Sequence, residues 1–304
     1  MKTIEQTKNI VKIEGIVSEI RLEEKEITSK RDGNKFDAIT GQIVIKVKQD
    51  INGVEQDMDV PVEVFATKMT KKGGINPAYT AAKDVKENFI SIAALGGEDA
   101  IEKADRIRIT NATIDANEFM SRDGNLINNP VIRASFFNKI KKADCMEKAT
   151  FESTIIVKKI KDEVDREGDP TGRLIVSAVI VNYGPVAKIV DFVVSSKNAI
   201  EHIQTYWNEK DTVVVAGKVN YSVKTETKDR SVGFGEPIKE TKTTTVKEFV
   251  ITSGSASGLD EDEGAYSEED ITSLLKERQA RLNTMKESPR KVEEKKPSLD
   301  DFSF

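Results

Sequence analysis

VAKIVDFVVSSKNAIEHIQTYWNEKDTVVVAGKV, residues 186–219, reads as a strand, a short helix and a second strand. Ile200, Ile203 and Trp207 recur at helical spacing between residues 198 and 207, while runs of β-branched residues flank them on both sides. Upstream, FESTIIVKKIKDEV (151–164) and RLIVSAVIVNY (173–183) supply two more strands. Downstream, TKTTTVKEFVITS (241–253) supplies a fifth, set off from the fourth by the polar KDRSVGFGEPIKE (228–240). Five strands with one helix between the third and fourth is the order of an oligonucleotide-binding (OB) barrel, a partly open Greek-key barrel.

The same order occurs earlier in the chain. IVKIEGIVSEI (10–20) and ITGQIVIKVKQ (39–49) form a long hairpin around the turn signal Asp32-Gly33, and Asn52-Gly53 turns the chain into MDVPVEVFATKMT (58–70). In that third strand Val60, Val62 and Val64 share one face, with Glu63, Phe65 and Thr67 on the other. Asn76-Pro77 starts a helix that carries Ala78, Ala82, Val85, Phe89 and Ile92. ADRIRITNATIDANEF (104–119) and NPVIRASFFNKI (129–140) complete the set. The expected architecture is mainly β: two tandem OB barrels at residues 9–142 and 150–253, each with one helix, followed by a flexible acidic tail over 254–304.

Composition agrees with two folded units. The chain has 304 residues, 38% hydrophobic and 33% charged, which suits two domains with cores of their own. No apolar run approaches the ~20 residues of a bilayer-spanning helix, and no cleavable apolar leader opens the sequence, so no membrane association and a cytoplasmic location are expected. A single cysteine, Cys145, and a single histidine, His202, make neither a disulfide framework nor a zinc site. Neither nucleophile with base nor phosphate-binding loop is visible, since SVGFGEP (231–237) and KKGGINP (71–77) lack the GxxxxGK[ST] pattern. No catalytic residue, metal or cofactor is therefore expected.

The net charge of −5 is confined to one place. Residues 1–150 and 151–253 are each balanced, whereas 254–304 hold 8 basic against 13 acidic residues, which accounts for the whole imbalance. Ser267 and Asp270 form a capping box that opens an amphipathic helix over 267–288, with Ile271, Leu274, Leu275, Leu282 and Met285 on one face. The chain ends SLDDFSF. Leu299, Phe302 and Phe304 beside Asp300 and Asp301 compose a docking tip, apolar anchors with flanking carboxylates.

Binding single strands without sequence preference needs cations for phosphates and aromatic faces for bases. In the first unit those residues are Lys30, Arg31, Lys35 and Phe36 around the first hairpin, then Arg106, Arg108, Phe119 and Arg122 on the fourth strand and its loop. In the second they are Lys218, Tyr221, Lys224, Lys228, Arg230 and Phe234.

At VEVFATK (62–68), at the strand-helix-strand stretch quoted first, and at the terminal LDDFSF (299–304), the chain resembles the single-stranded DNA-binding proteins of bacteria and their phages. In that family the third strand carries aromatic residues on the DNA face, and the resemblance places Phe65 and Phe192 there. The family's fourth-strand glycine is matched by Gly217 but replaced by Asn111 in the first unit. The resemblance implies non-enzymatic, sequence-nonspecific binding and protection of single-stranded DNA in replication, recombination or repair. It also implies a tip that recruits replication or repair proteins, and self-association on DNA is compatible with it. The alternative is a β-rich structural or assembly protein, such as a phage virion or scaffold component, with a partner-recruiting tail.

Overall fold

The computed structural model describes residues 4–29, 33–97, 99–121, 123–165, 167–230 and 238–287, with backbone alone at 224–230, 238–240, 242 and 287. Its first half contains β1 (Asn9–Thr28), β2 (Lys35–Ile51), β3 (Val54–Thr67), α1 (Pro77–Asn88), the single turns α2 (Ile92–Leu95) and α3 (Ala100–Lys103), β4 (Arg106–Met120), β5 (Leu126–Arg133) and β6 (Asn138–Ile140). The second half contains β7 (Lys148–Val164), β8 (Pro170–Asn182), β9 (Val186–Val194), α4 (Lys197–Tyr206), β10 (Thr212–Asn220), β11 (Val223–Arg230), β12 (Ile238–Thr245), β13 (Glu248–Gly254) and α5 (Glu268–Glu287). The chain is mainly β. Among the described residues no helix is long and apolar enough to cross a membrane.

Local chemistry sets these elements. Asn52 and Gly53 take φ of 55° and 82°, the backbone of a two-residue turn that matches strand twist, and join β2 to β3 without a register slip from Ile51↔Val54 to Ala38↔Thr67. Along β3, Met58, Val60, Val62, Val64 and Ala66 are buried and alternate with more exposed neighbours. The Asn76 side chain accepts the Ala78 amide proton at 3.0 Å, with Pro77 at the first helical position of α1. Ala82, Val85 and Phe89 then face the core.

In each half the strand pairings close on themselves. β1 pairs with β2, β2 with β3, β3 in parallel with β5, β5 with β4, and β4 with β1. The second circuit runs β7, β8, β9, β13, β10 and back to β7, again with one parallel step. A Cβ on Gly217 of β10 would lie 2.0 Å from the Val250 oxygen and 2.7 Å from the Phe151 ring, so only glycine allows β7 and β13 to approach β10 this closely. Phe151, Phe192 and Phe249 meet beside it, with ring centroids 5.6 to 5.9 Å apart.

The two circuits are joined through their first strands. Val11 pairs with Ala112 on one edge and Phe151 on the other, and Phe151 pairs with Gly217 on its far edge. Val11 and Phe151 thus occupy the same place in their circuits and face each other, which is the arrangement of an approximate two-fold axis. Both strands also carry a bulge at the same point, between Val17 and Glu19 and between Val157 and Lys159. One apolar core runs through both halves.

The expectation of a flexible tail over 254–304 is corrected for its described part, residues 254–287. That part carries defined structure: Ser267 caps α5 through Asp270 N at 3.2 Å, and Ile271 and Leu274 are buried against Ile156, Val179, Val181 and Ala187. Arg278 Nε and Arg281 Nη2 each donate to Glu118 of β4 at 2.8 Å. The sequence pattern displayed the apolar face of the helix, but the outward apolar face of β7 to β9 that covers it only exists once the sheet is formed.

Candidate nucleic-acid interface

Phe65 lies on the outward face of β3 and is 55% exposed, an unusual position for a phenylalanine inside a strand. It pairs across to Thr40 of β2 and lines a groove with Arg21, Gly41, Gln42, Glu63 and Arg133. Gly41, at a φ of +142°, is required where β2 lies against β1, because a Cβ there would lie 1.9 Å from the Arg21 oxygen. Arg133 of β5 is held by Asp115 at 2.8 Å and Glu63 at 3.4 Å, and it donates to Asn117 Oδ1. Asn117 in turn donates to Glu63 at 2.8 Å. Arg21 is paired with Glu19.

This polar relay leads from Phe65 toward β4. There Phe119, 40% exposed, pairs with Ile127 of β5 and borders a second depression with Asn117, Glu118 and Lys188. Lys188 comes from β9 of the other circuit and donates to the Ala116 oxygen at 2.7 Å. The structure therefore brings Phe65 and Phe119 onto one surface, linked by Glu63, Arg133 and Asn117. Lys35 and Phe36 stand at the start of β2, opposite Thr28 and Ile27, with Lys35 bound to Glu26 at 2.7 Å.

Several expected contacts are placed elsewhere. Phe192 is completely buried and has no face to offer a base. Strand register gives the reason. Val62 pairs with Ile132 in the first circuit as Phe192 pairs with Phe249 in the second, so Phe192 is the counterpart of Val62. An offset of three residues reverses the face on which a side chain stands. The position matching Phe65 is Ser195, just past the end of β9, and the same parity of β9 holds exposed Asp191 and buried Val193.

Tyr221 is also buried, and burial pushes its phenol up to about 12. Arg106 is buried, with Nη1 donating to the Ala104 and Glu102 carbonyls. Arg108 is tied into the junction: its Nε and Nη2 bind the two oxygens of buried Glu14 at 2.9 and 3.0 Å, and Nη2 also reaches the Asp144 carbonyl at 2.9 Å. The Arg108 guanidinium, together with the Met146 amide, holds the Glu14 carboxyl below the usual range despite its burial. Lys218 bridges to the first half, donating to the Asp50 carbonyl at 2.7 Å. Isolated cations and aromatics look solvent-facing in a sequence, but Tyr221, Arg108 and Lys218 meet groups of distant strands, and Arg106 turns back onto the carbonyls just before it.

Lys30, Arg31, Arg122 and Phe234 lie outside the described residues, as do Leu299, Asp300, Asp301, Phe302 and Phe304. Of Lys224, Lys228 and Arg230 only the backbone is described, on β11 of the hairpin formed with β12. Arg21 and Arg133 were missed by sequence reasoning. The alternation that turned Phe65 outward also turned Arg133 outward, but only the parallel pairing Glu63↔Arg133 brings the two strands side by side.

A model of the YorF family matches residues 8–288. Among solved structures the chain is similar to the wild-type single-stranded DNA binding protein from Thermus aquaticus, at 9% identity and a TM-score of 0.45, and to a deletion variant of that protein at 10% and 0.46. Each match covers 84% of this chain and 96% of the other. No curated protein matches the chain.

Proposed function

We propose that this chain, which belongs to the YorF family, is a non-enzymatic protein that binds and protects single-stranded DNA without sequence preference. In this reading each strand circuit is an OB barrel, the two together serve replication, recombination or repair, and the protein works in the cytoplasm, a bacterial host's if it is phage-encoded. The observation that carries the reading is Phe65, more than half exposed on the outward face of the second and third strands of a closed 1-2-3-5-4 circuit. That face is where OB barrels receive oligonucleotides, and an exposed aromatic ring on it supplies the base-stacking platform that sequence-tolerant binding requires. Arg21 and Arg133 border the groove, each beside a carboxylate, so phosphates would compete for guanidinium groups that are already positioned.

The first barrel is the principal site in this reading, because the matching face of the second has Ser195 in place of Phe65 and exposes the Asp191 carboxylate. Recruitment of partner proteins by Leu299, Asp300, Asp301, Phe302 and Phe304 is supported by the chemistry of the terminal sequence: two carboxylates among three apolar anchors.

The test is a fluorescence titration of the full chain with labelled oligo-dT and with duplex of equal length. Wild type is expected to favour the single strand. Phe65→Ala is expected to weaken binding by about 5- to 150-fold, corresponding to about 1–3 kcal/mol for one stacked base, with an unchanged melting temperature because the ring is exposed. Equal affinity for duplex, or an unweakened Phe65→Ala, would overturn the reading.

A further inference from the structure

β3 ends at Thr67, and the chain then folds into a small closed hairpin before α1 begins. Thr70 N donates to the Gly74 carbonyl at 2.8 Å, Gly73 N to the Thr70 carbonyl at 2.9 Å, and Asn76 N to the Lys68 carbonyl at 3.0 Å. Gly73 takes φ of +83°, which closes the turn. Met69 and Ile75 pair across the stem as an isolated bridge, 49% and 71% exposed. Lys71 and Lys72 form the exposed tip. Lys68 is paired with Asp37 at 3.1 Å, whereas neither Lys71 nor Lys72 has a carboxylate partner among the described residues.

Three features set this hairpin apart. Closing a strand circuit does not need it, since only Ser195 and Ser196 separate β9 from α4 in the second half. It holds an apolar pair in solvent on a hydrogen-bonded frame, where chain entropy is already lost before any ligand arrives. It adjoins the groove: Met69 is four residues beyond Phe65, a reach of at most about 14 Å along the chain. The first turn of α1, directly behind, contains no acidic residue to repel an anion.

We propose that hairpin 68–76 is a second contact for the single strand laid on Phe65, with Lys71 and Lys72 holding phosphates and Met69 and Ile75 contacting the next base. The proposal rests on the reading that the chain binds single-stranded DNA. Unpaired ammonium groups favour a polyanion over an acidic or neutral protein surface only in combination with the neighbouring aromatic platform, and here Lys71 and Lys72 follow Phe65 by six and seven residues on the same segment. Methionine and isoleucine side chains meet base faces through apolar contact, as they do where proteins wedge between base steps.

The experiment measures oligo-dT affinity of the full chain against salt for wild type, Phe65→Ala, the double variant Lys71→Ala with Lys72→Ala, and the double variant Met69→Ser with Ile75→Ser. Losing two phosphate contacts is expected to reduce the slope of log affinity against log salt by about 1.4, at about 0.7 per contact for single strands. The serine pair is expected to lower affinity about fivefold, the lower end for one base contact, with the slope unchanged. If both double variants match wild type in affinity and slope while Phe65→Ala is weakened, the hairpin is not a DNA contact and its apolar pair is left for a protein partner. If wild type fails to bind oligo-dT at all, the functional reading falls and this inference falls with it.

Discussion

Tyr221 and Tyr266 show how burial of a single side chain becomes a measurable property. Burial is the first cause for each, and both phenols are pushed from 10.0 up to about 12; for Tyr266 the Glu5 and Asp270 charges add to it. Tyr266 also donates to the Glu5 carbonyl at 2.6 Å. The neutral phenol is therefore favoured by the fold. Stability from these groups is complete below pH 10, the unfolded value, and is lost as pH rises from 10 toward 12. An alkaline titration followed by tyrosinate absorbance is expected to show three of the five tyrosines ionising late, Tyr221 and Tyr266 by burial and Tyr79 through its hydrogen bond to Glu24, together with loss of the folded circular dichroism signal. Tyr221→Phe should lessen that alkaline loss. Normal titration of all five without unfolding would contradict the burial argument. At the same scale, Phe65 and Phe192 show what alternation conveys and what it omits. The valines flanking Phe65 fixed its face correctly, because Val60, Val62 and Val64 are bound to one side by period two. Phe192 sits in an almost uninterrupted apolar run, VAKIVDFVV, in which period two is invisible and only pairing with Phe249 assigns the face.

At the scale of elements, α5 is the part whose docking the sequence did not reveal. Its capping box and apolar stripe were legible, yet its partners come from four strands remote in sequence: Ile156 of β7, Val179 and Val181 of β8, Ala187 of β9, and Glu118 of β4. The Glu118 side chain is fully buried with Lys188, Arg278 and Arg281 around it, so removing both arginines leaves a buried carboxylate with one cation at 3.5 Å. Breaking a buried pair in this way costs about 3–5 kcal/mol. The helix is then expected to release rather than hold an underpaired charge. Limited trypsin digestion should cut the double variant Arg278→Ala with Arg281→Ala within α5 at its remaining basic residues Lys276 and Lys286, faster than wild type is cut there, with the two strand circuits left intact. Unchanged cutting at Lys276 would show that Ile271 and Leu274 alone secure the helix. A chain ending at Ser253 would bare the apolar patch that α5 covers, so a shorter protein of this kind is expected to be less stable and prone to associate.

At the scale of the molecule, the two circuits cannot be treated as beads on a string. The repeat of five strands and a helix was readable because each copy has its own turn signals and helix start. The way the copies join was not, because the β1 to β7 pairing depends on edges that no local pattern marks. Across that seam Gln49 accepts the Ala149 amide at 2.9 Å and donates to the Val219 carbonyl at 2.9 Å, Asn9 donates to Asn182 at 3.2 Å, and Tyr221 N donates to Met58 Sδ at 3.4 Å. Separating the halves would orphan these buried groups and expose the faces of Val11 and Phe151 at once, each apolar side chain contributing about 1.5–3 kcal/mol when fully buried. Unfolding one half therefore costs the other an amount comparable to the whole stability of a small domain, about 5–15 kcal/mol. The expected result is a single calorimetric transition for the full chain, with calorimetric and van't Hoff enthalpies in agreement, and no stable fold for a fragment of residues 9–142 alone. Two separate transitions, or a 9–142 fragment that melts cooperatively on its own, would show that each circuit is stabilised from within and that the seam at Val11 and Phe151 only aligns them.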